Sequence, residues 1–514
     1  MAKALRNRAS KQPYTSQKQL VLAGFESPFS QHLSADNRWV KLAKLIPWDA
    51  LANTYRRQLD NHVTGADSIN PRVAIGAVII KHLCNLSDRE TILQIEENMY
   101  MQYFIGYSSF SHEAPFDASL FVDIRKRLTI EHINEINEKI LGLLKKENDD
   151  CSVKEHTASK DDTDNKNGLP AEPGNEPAPN ITRDEPAPEP DPPNKGSLLM
   201  DATACPQDIA YPTDLNLLSD AREKSEELID YLQVSLTTPK PRTYRQTARK
   251  QYLRVAQKKK KTRQEIRKAV RQQLQYLRRN INSIQQQLNE HVRIPLSRQD
   301  YKYLLVIQTL YDQQKYMYDH RVHSIADRIV SIHQPHVRPM VRGKTNAAVE
   351  FGAKIQVSLV EGIAFVDELS WDAFNEGTCL QSSVEKYKIR YGFYPAEVLA
   401  DKIYCNRENR KWLKDRKIRL RAKPLGRPSS AWALSIPVRP GERNPIEGKF
   451  GQAKTAYGMN RIKARLSETS QSWIASIVLV LNLINLIGKA SLTLIFTLVK
   501  NKRYAECPNL IFLK

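Results

Sequence analysis

Apolar residues recur at helical spacing from Trp39 to about Lys146, with Val73, Ile75, Val78, Ile79, His82, Leu83 and Leu86 repeating as one stripe. Leu86-Ser87-Asp88-Arg89-Glu90 then reads as a stop, a cap and a new helix with acidic charge in its first turn. Phe116 to Leu128 begins another helix, whose end is basic. Short helices with basic ends suit a helix-turn-helix reader of DNA, and a plain helical bundle has the same pattern.

The pattern breaks at Asp149. Nine prolines fall between Gly168 and Lys195 among Asp, Glu, Asn and Lys, which predicts an extended, disordered linker. Ser197 to Asp201 is a short apolar strand ending in an aspartate, and Ile209 to Pro212 is a candidate second strand. Leu217 to about Ile329 predicts long helices. Strand character returns at Val349 to Leu359, turns at Glu361-Gly362, and comes back through Ile363 to Leu369. Val337 to Lys344, just before it, reads as a basic loop. Leu380 to Tyr391 is a helix closed by Gly392, and Ala396 to Asp401 is a second apolar strand ending in aspartate. Asn406 to Asp415 is a helix, Ile418 to Ala422 a strand, and Lys423 to Arg439 a loop. Asn444-Pro445 starts a further helix that carries Glu447 in its first turn, with Asn444 as the cap.

The apolar stretch from Trp473 to Lys500 is interrupted by Asn482, Asn485, Gly488 and Lys489. Its unbroken runs fall short of the roughly 18 residues a membrane span needs, so it predicts one or two core helices and no membrane partner.

Composition adds a partner class. The chain has 514 residues, and 78 Lys and Arg against 57 Asp and Glu give a formal net charge of +21, which favours a polyanion. Lys240 to Arg279 holds sixteen of the basic residues and one acid, Glu265, with Lys258, Lys259, Lys260 and Lys261 at its peak and tyrosines interleaved. A helix this one-sided repels itself without a counter-anion, so phosphate binding is the better reading. The six cysteines are far apart, which suits a reducing cytosol, and the N-terminus has no apolar core of a secretory signal. His320, His323, His333 and His336 have no cysteine nearby and are read as loop and helix-surface residues rather than zinc ligands.

Three acids stand out by their order. Asp201 and Asp401 each follow an apolar strand, and Glu447 lies on a following helix. Carboxylates from three elements of a mixed α/β sheet can hold two hard divalent cations about 3.5–4 Å apart, leaving open positions for water and phosphate. Arg443 and Lys454 lie four residues before and seven after Glu447, on the same helix face, where they could hold phosphate. Each aspartate alone reads better as a strand-terminal turn residue, and it is their joint order that argues otherwise; Asn444 to Glu447 reads equally as a capping box.

Arg443, three residues, Glu447, six residues, Lys454 resembles the C-terminal signature of the DDE transposases of bacterial insertion sequences, of the insertion-sequence-five group. Leu199-Met-Asp201-Ala-Thr and Leu399-Ala-Asp401-Lys-Ile-Tyr404 resemble the group's two aspartate motifs. The stretch from Val337 to Lys354, with Arg342 and Lys344, is similar to its linking segment, and Leu86 onward to the N-terminal domain of InsH-type members. The signature tyrosine of the family falls at Pro440.

The resemblance implies an RNase H-like catalytic core over 197–500, a mixed sheet with flanking helices, interrupted by a basic helical insertion at 218–335. An arm (1–30), an all-α DNA-binding domain (31–148) and a linker (149–196) precede it, and a tail (501–514) follows. It further implies Mg²⁺ as two ions, with Mn²⁺ as an alternative, held by Asp201, Asp401 and Glu447 as catalytic residues. Arg443, Lys454, Arg342, Lys344 and Lys258 to Lys261 would contact double-stranded DNA, in a synaptic homodimer acting in the bacterial cytoplasm at the nucleoid. A non-cutting DNA-binding descendant, or an RNase H-like nuclease or resolvase that joins no strands, are the alternatives.

Overall fold

The computed structural model describes residues 14–16, 27–57, 69–153, 192–234, 236, 238–291, 295–344, 347–422 and 441–505. Side chains of 30, 143–153, 342–344, 347–348 and 489–505 lie outside that description. So do most of the predicted linker, the loop from Lys423, and Pro440.

The N-terminal half is helical: α1 (Pro28–His32), α2 (Arg38–Leu45), α3 (Trp48–Arg56), α4 (Pro71–Leu83), α5 (Asp88–Glu97), α6 (Met99–Phe104), α7 (Phe121–Arg127) and α8 (Ile130–Val153). Asn70 caps α4 ahead of Pro71, and the Ser87 hydroxyl accepts from the Glu90 N–H at the start of α5.

A six-stranded sheet follows, from β1 (Ser197–Pro206), β2 (Arg338–Lys344), β3 (Ala347–Val360), β4 (Ile363–Ser370), β5 (Glu397–Leu399) and β6 (Arg419–Arg421). Its order is β2-β3-β1-β5-β6, with β4 on the remaining part of β3. β1 runs antiparallel to β3 and parallel to β5, so the sheet is mixed. Between β1 and β2 the chain forms α9 (Asp214–Gln233), α10 (Arg245–Ala256), α11 (Arg263–Glu290) and α12 (Arg298–His320), which bury their own cluster of Leu218, Leu277, Ile284 and Ile307. Helices α13 (Cys379–Tyr391), α14 (Arg407–Asp415), α15 (Asn444–Thr455) and α16 (Ser467–Ala505) complete the chain.

Several sequence expectations need correction. β1 does not stop at Asp201 but runs on to Pro206, pairing with β3 as far as Gly352. Residues 209–212 form no strand; tight turns bracketed by Pro206 and Pro212 occupy that stretch, with Ile209 N–H on Gln207 O and Thr213 N–H on Tyr211 O. The basic stretch at 338–344 is a strand, not a loop, because Met340 turns inward while its backbone pairs with β3. Gly352 serves both partners of β3 at once, and a Cβ there would lie 2.1 Å from the Cys205 carbonyl oxygen.

The composition break at 149–195 suggests a spatial separation that the described residues do not have. Buried side chains of the N-terminal helices, such as Ile79, Phe104 and Ile136, join Phe365 of β4 and Ile474 and Leu481 of α16 in one core. Two asparagines explain how the outer edge of β4 tolerates burial. The Asn134 amide accepts from the Val366 N–H at 3.3 Å and donates to its carbonyl at 2.9 Å. Asn482 treats Ala364 in the same way, at 2.8 Å for both bonds. Strand groups that would otherwise be orphaned are thereby satisfied. Asn482, one of the polar residues interrupting the apolar C-terminal stretch, thus ties the helix to the sheet. Residues 467–488 are long and apolar enough to cross a membrane, and most of that apolar stretch is buried inside the protein.

Candidate active site

Three chain segments meet beside the middle of β1. Asp201 sits opposite Val357 of β3, with its Oδ1 accepting from the Ala202 N–H at 2.9 Å. Asp401 follows β5 and starts a single 3₁₀ turn, its Oδ1 accepting from the Lys402 N–H at 2.7 Å. Glu447 lies in the first turn of α15, 60% exposed. β1 and β5 are parallel neighbours, which is why their two aspartates arrive on one side of the sheet.

Arg443 brings them into relation. Its Nη2 lies 3.0 Å from Asp201 Oδ2, its Nη1 3.4 Å from Asp401 Oδ1, and Nη2 4.0 Å from Glu447 Oε1. The helix start differs from the sequence expectation. Arg443, not Asn444, is the N-cap residue, Asn444 is already helical, and no side chain caps the helix, so the Asn444–Glu447 capping box is absent. Glu447 is therefore left to face the other acids. Gly448 and Gly451 leave open space along this helix.

Burial pushes the Asp201 carboxyl up from its ordinary value; Arg443 opposes the shift, and Glu376 and Asp401 reinforce it. Glu376, on the turn after β4, pairs with Lys354 of β3 at 2.9 Å. Beneath, the buried Tyr404 hydroxyl donates to Gln356 Oε1 at 2.7 Å. Sequence reasoning overlooked Glu376 and Gln356, which have no strand-end or helix-start signal; Lys354 belongs to the linking segment and Tyr404 to the second aspartate motif.

Other acids of the core are engaged elsewhere: Asp208 by Arg461 at 2.9 Å, Asp214 by Arg328 at 2.7 Å, Asp367 by Arg390 at 3.2 Å. Among the described residues no three His, Cys, Asp or Glu side chains are grouped closely enough to hold a metal ion. The expectation that the three acids close directly on one another is thus corrected: a guanidinium stands among them. The chemistry of the donor set nonetheless fits a hard cation, since all three are carboxylates and a positive group already bridges them.

The basic residues are spread wider. Lys454 is half-buried near the end of α15. Lys258 to Lys261 are exposed in the turn between α10 and α11, with Lys258 on Glu265 at 2.5 Å. Arg242 and Arg279 each lie 5.1 Å from the ring centre of Tyr244. Arg342 and Lys344 are on β2, and their side chains lie outside the described residues. His333 Nδ1 bonds the Tyr303 hydroxyl and His320 Nδ1 the Tyr316 carbonyl.

Comparison with known proteins gives two family matches. Residues 27–127 match a transposase domain (DUF772), and residues 398–484 match a transposase DDE domain. The second span contains Asp401, Arg443, Glu447 and Lys454 but not Asp201. A curated relative, an uncharacterized protein ORF8 in the nfe locus of Rhizobium meliloti, is 36% identical over 101 residues. That stretch is 19% of this chain and 46% of the relative, less than half its length. No solved structure matches.

Proposed function

Because the chain belongs to the DDE transposases of insertion sequences, we propose that it binds the terminal inverted repeats of its element, cuts the DNA ends and joins the 3′-hydroxyl strand to target DNA. The observation that carries this reading is the approach of Asp201, Asp401 and Glu447 to one guanidinium. Three carboxylates from separate segments are costly to assemble unless a cation answers them.

Asp201, Asp401 and Glu447 would hold two divalent cations, Mg²⁺ first. Cations held this way polarise the scissile phosphate and sharpen the attacking hydroxyl. Asp201, the most enclosed of the three, fixes the position of the set on the rigid centre of the sheet. Arg443 leaves the acids for a DNA phosphate as the site fills, and Lys454 steadies the strand further along α15. Bidentate guanidinium–phosphate pairing favours Arg at the first of these positions. The exposed turn at Lys258 to Lys261 and the basic faces of α10 and α11 contribute affinity without reading sequence. Arg342 and Lys344 of β2 add to the same field, and two copies act together at paired ends.

The test is incubation of the protein and Mg²⁺ with labelled element ends and a target plasmid. Nicked ends joined to the plasmid support the reading. Free ends alone indicate a nuclease, and bound but uncut DNA a non-catalytic descendant; either outcome overturns it.

A further inference from the structure

The side chains of two consecutive residues, Glu442 and Arg443, have different partners. Arg443 turns to the three acids, and Glu442 pairs with the Arg421 guanidinium of β6. Arg421 also meets Glu397 Oε2 of β5, through Nη1 at 3.4 Å. Its backbone lies beside the second aspartate: Arg421 stands opposite Leu399 in the β5–β6 register, and its carbonyl accepts from the Ala400 N–H at 3.3 Å. One guanidinium thus ties the strand that delivers Asp401 to the turn that delivers Arg443 and Glu447. Arg421, Glu442 and Glu397 are 16%, 21% and 26% exposed, so solvent and salt screen these charges less than they would at an open surface.

The start of α15 has few other restraints on its direction. Among the described residues no side chain caps this helix, and Gly441 just before it has a φ of +94°. Its buried residues, Ile446 and Ala453, lie seven apart on one stripe. Apolar burial holds a helix down without fixing its roll or slide, because it is non-directional. Ion contacts supply the direction, from Arg443 to the acids and from Glu442 to Arg421. In the proposed reaction Arg443 moves to a DNA phosphate, which removes the first of these contacts as the site fills.

We propose that Arg421 is a positioning residue for the cation site: held to Glu442 on one side and Glu397 on the other, it keeps Glu447 within reach of Asp401 once Arg443 has left. A guanidinium can hold two carboxylates at once through its two Nη groups, whereas the compact ammonium of a lysine lacks that fixed fork. This inference rests on the reading of Asp201, Asp401 and Glu447 as cation ligands.

The test is calorimetry of Mn²⁺ binding to the full chain without DNA, with Arg443→Gln as the starting protein, so that the contacts of Arg443 are already gone. Adding Glu442→Gln, Arg421→Gln or Arg421→Lys should each weaken Mn²⁺ binding by about tenfold. Adding Glu442→Gln and Arg421→Gln together should do no worse than either, because both break one contact. A through-space field would act differently: loss of the negative Glu442 would weaken binding, and loss of the positive Arg421 would strengthen it. In the otherwise wild-type chain, Glu442→Gln and Arg421→Gln should each slow Mg²⁺-dependent cutting about tenfold while affinity for element ends is kept. Circular dichroism checks folding, and Arg421→Lys decides if Arg421→Gln does not fold. Unchanged Mn²⁺ binding in the folded variants, shifts of opposite sign, additive losses, or full cutting by both variants overturn the proposal. Arg443→Gln protein that binds no Mn²⁺ would overturn the cation reading beneath it, and the proposal with it.

Discussion

Arg443 Nη2 stands 3.0 Å from Asp201 Oδ2, joining a residue that starts α15 to one in the middle of β1 across 242 positions of sequence. The same guanidinium reaches Asp401, so one cation neutralises acids from two strands. On the proposed function, Arg443 and a divalent cation compete for these oxygens in the absence of DNA. Arg443→Gln is expected to tighten Mn²⁺ binding by about tenfold or more, measured by calorimetry without DNA. Melting temperature without metal should fall, and Mn²⁺ should restore it. Unchanged or weaker Mn²⁺ binding would show that the guanidinium does not occupy the cation position.

The hydroxyl of Tyr404 supports the floor of the same site through Gln356. Tyr404→Phe leaves the Gln356 carbonyl buried without a donor, at a cost of about 1–3 kcal/mol. Urea unfolding should register that loss, while affinity for DNA stays at the wild-type level.

Much of this site was legible in the chain. Asp401 and Glu447 announce themselves by an apolar strand and a proline-marked helix start, which are local signals. The convergence with Asp201 was legible only as an order of elements, because four helices intervene. What the sequence hid was tertiary. Arg443 takes the cap position that Asn444 was expected to fill, since the three nearby acids draw its guanidinium inward. Glu376 lies in a polar turn like any other. The docking of the N-terminal helices through Asn134, and of α16 through Asn482, rests on hydrogen bonds to β4 that leave no periodic trace.

That docking is expected to depend on pH. His82 is fully enclosed, with its ring edge-on to Trp473 at 5.0 Å, and burial holds its pKa well below the usual value, with Lys81 and Arg125 adding to the effect and Asp88 opposing it. Burial also lowers His336, to about 4. An unfolded histidine takes up a proton near pH 6.5 while these folded ones refuse it, so stability is full above about pH 6.5 and is lost as pH falls. The slope should approach about 1.4 kcal/mol per pH unit for each such histidine. His82→Phe keeps a ring against Trp473 and should flatten the decline between pH 7.5 and 5.5. An unaltered slope would mean that His82 does not carry it.

Lys258 to Lys261 project from the turn between α10 and α11. Replacing all four by Gln should weaken binding to element ends and to unrelated duplex alike. In anisotropy titrations, the slope of log K against log salt should become shallower by about 0.9 for each phosphate that the variant leaves unneutralised. A weakening confined to the element ends would instead assign these lysines to sequence reading.

On the proposed function catalysis turns on the three acids, and Asp401→Asn probes that proposal most directly, because the side chain is half-exposed. Cleavage of element ends with Mg²⁺ and binding of the same DNA should be measured on one preparation. The expected result is cleavage abolished and binding kept; cleavage retained, or both lost in a folded protein, would contradict the assignment.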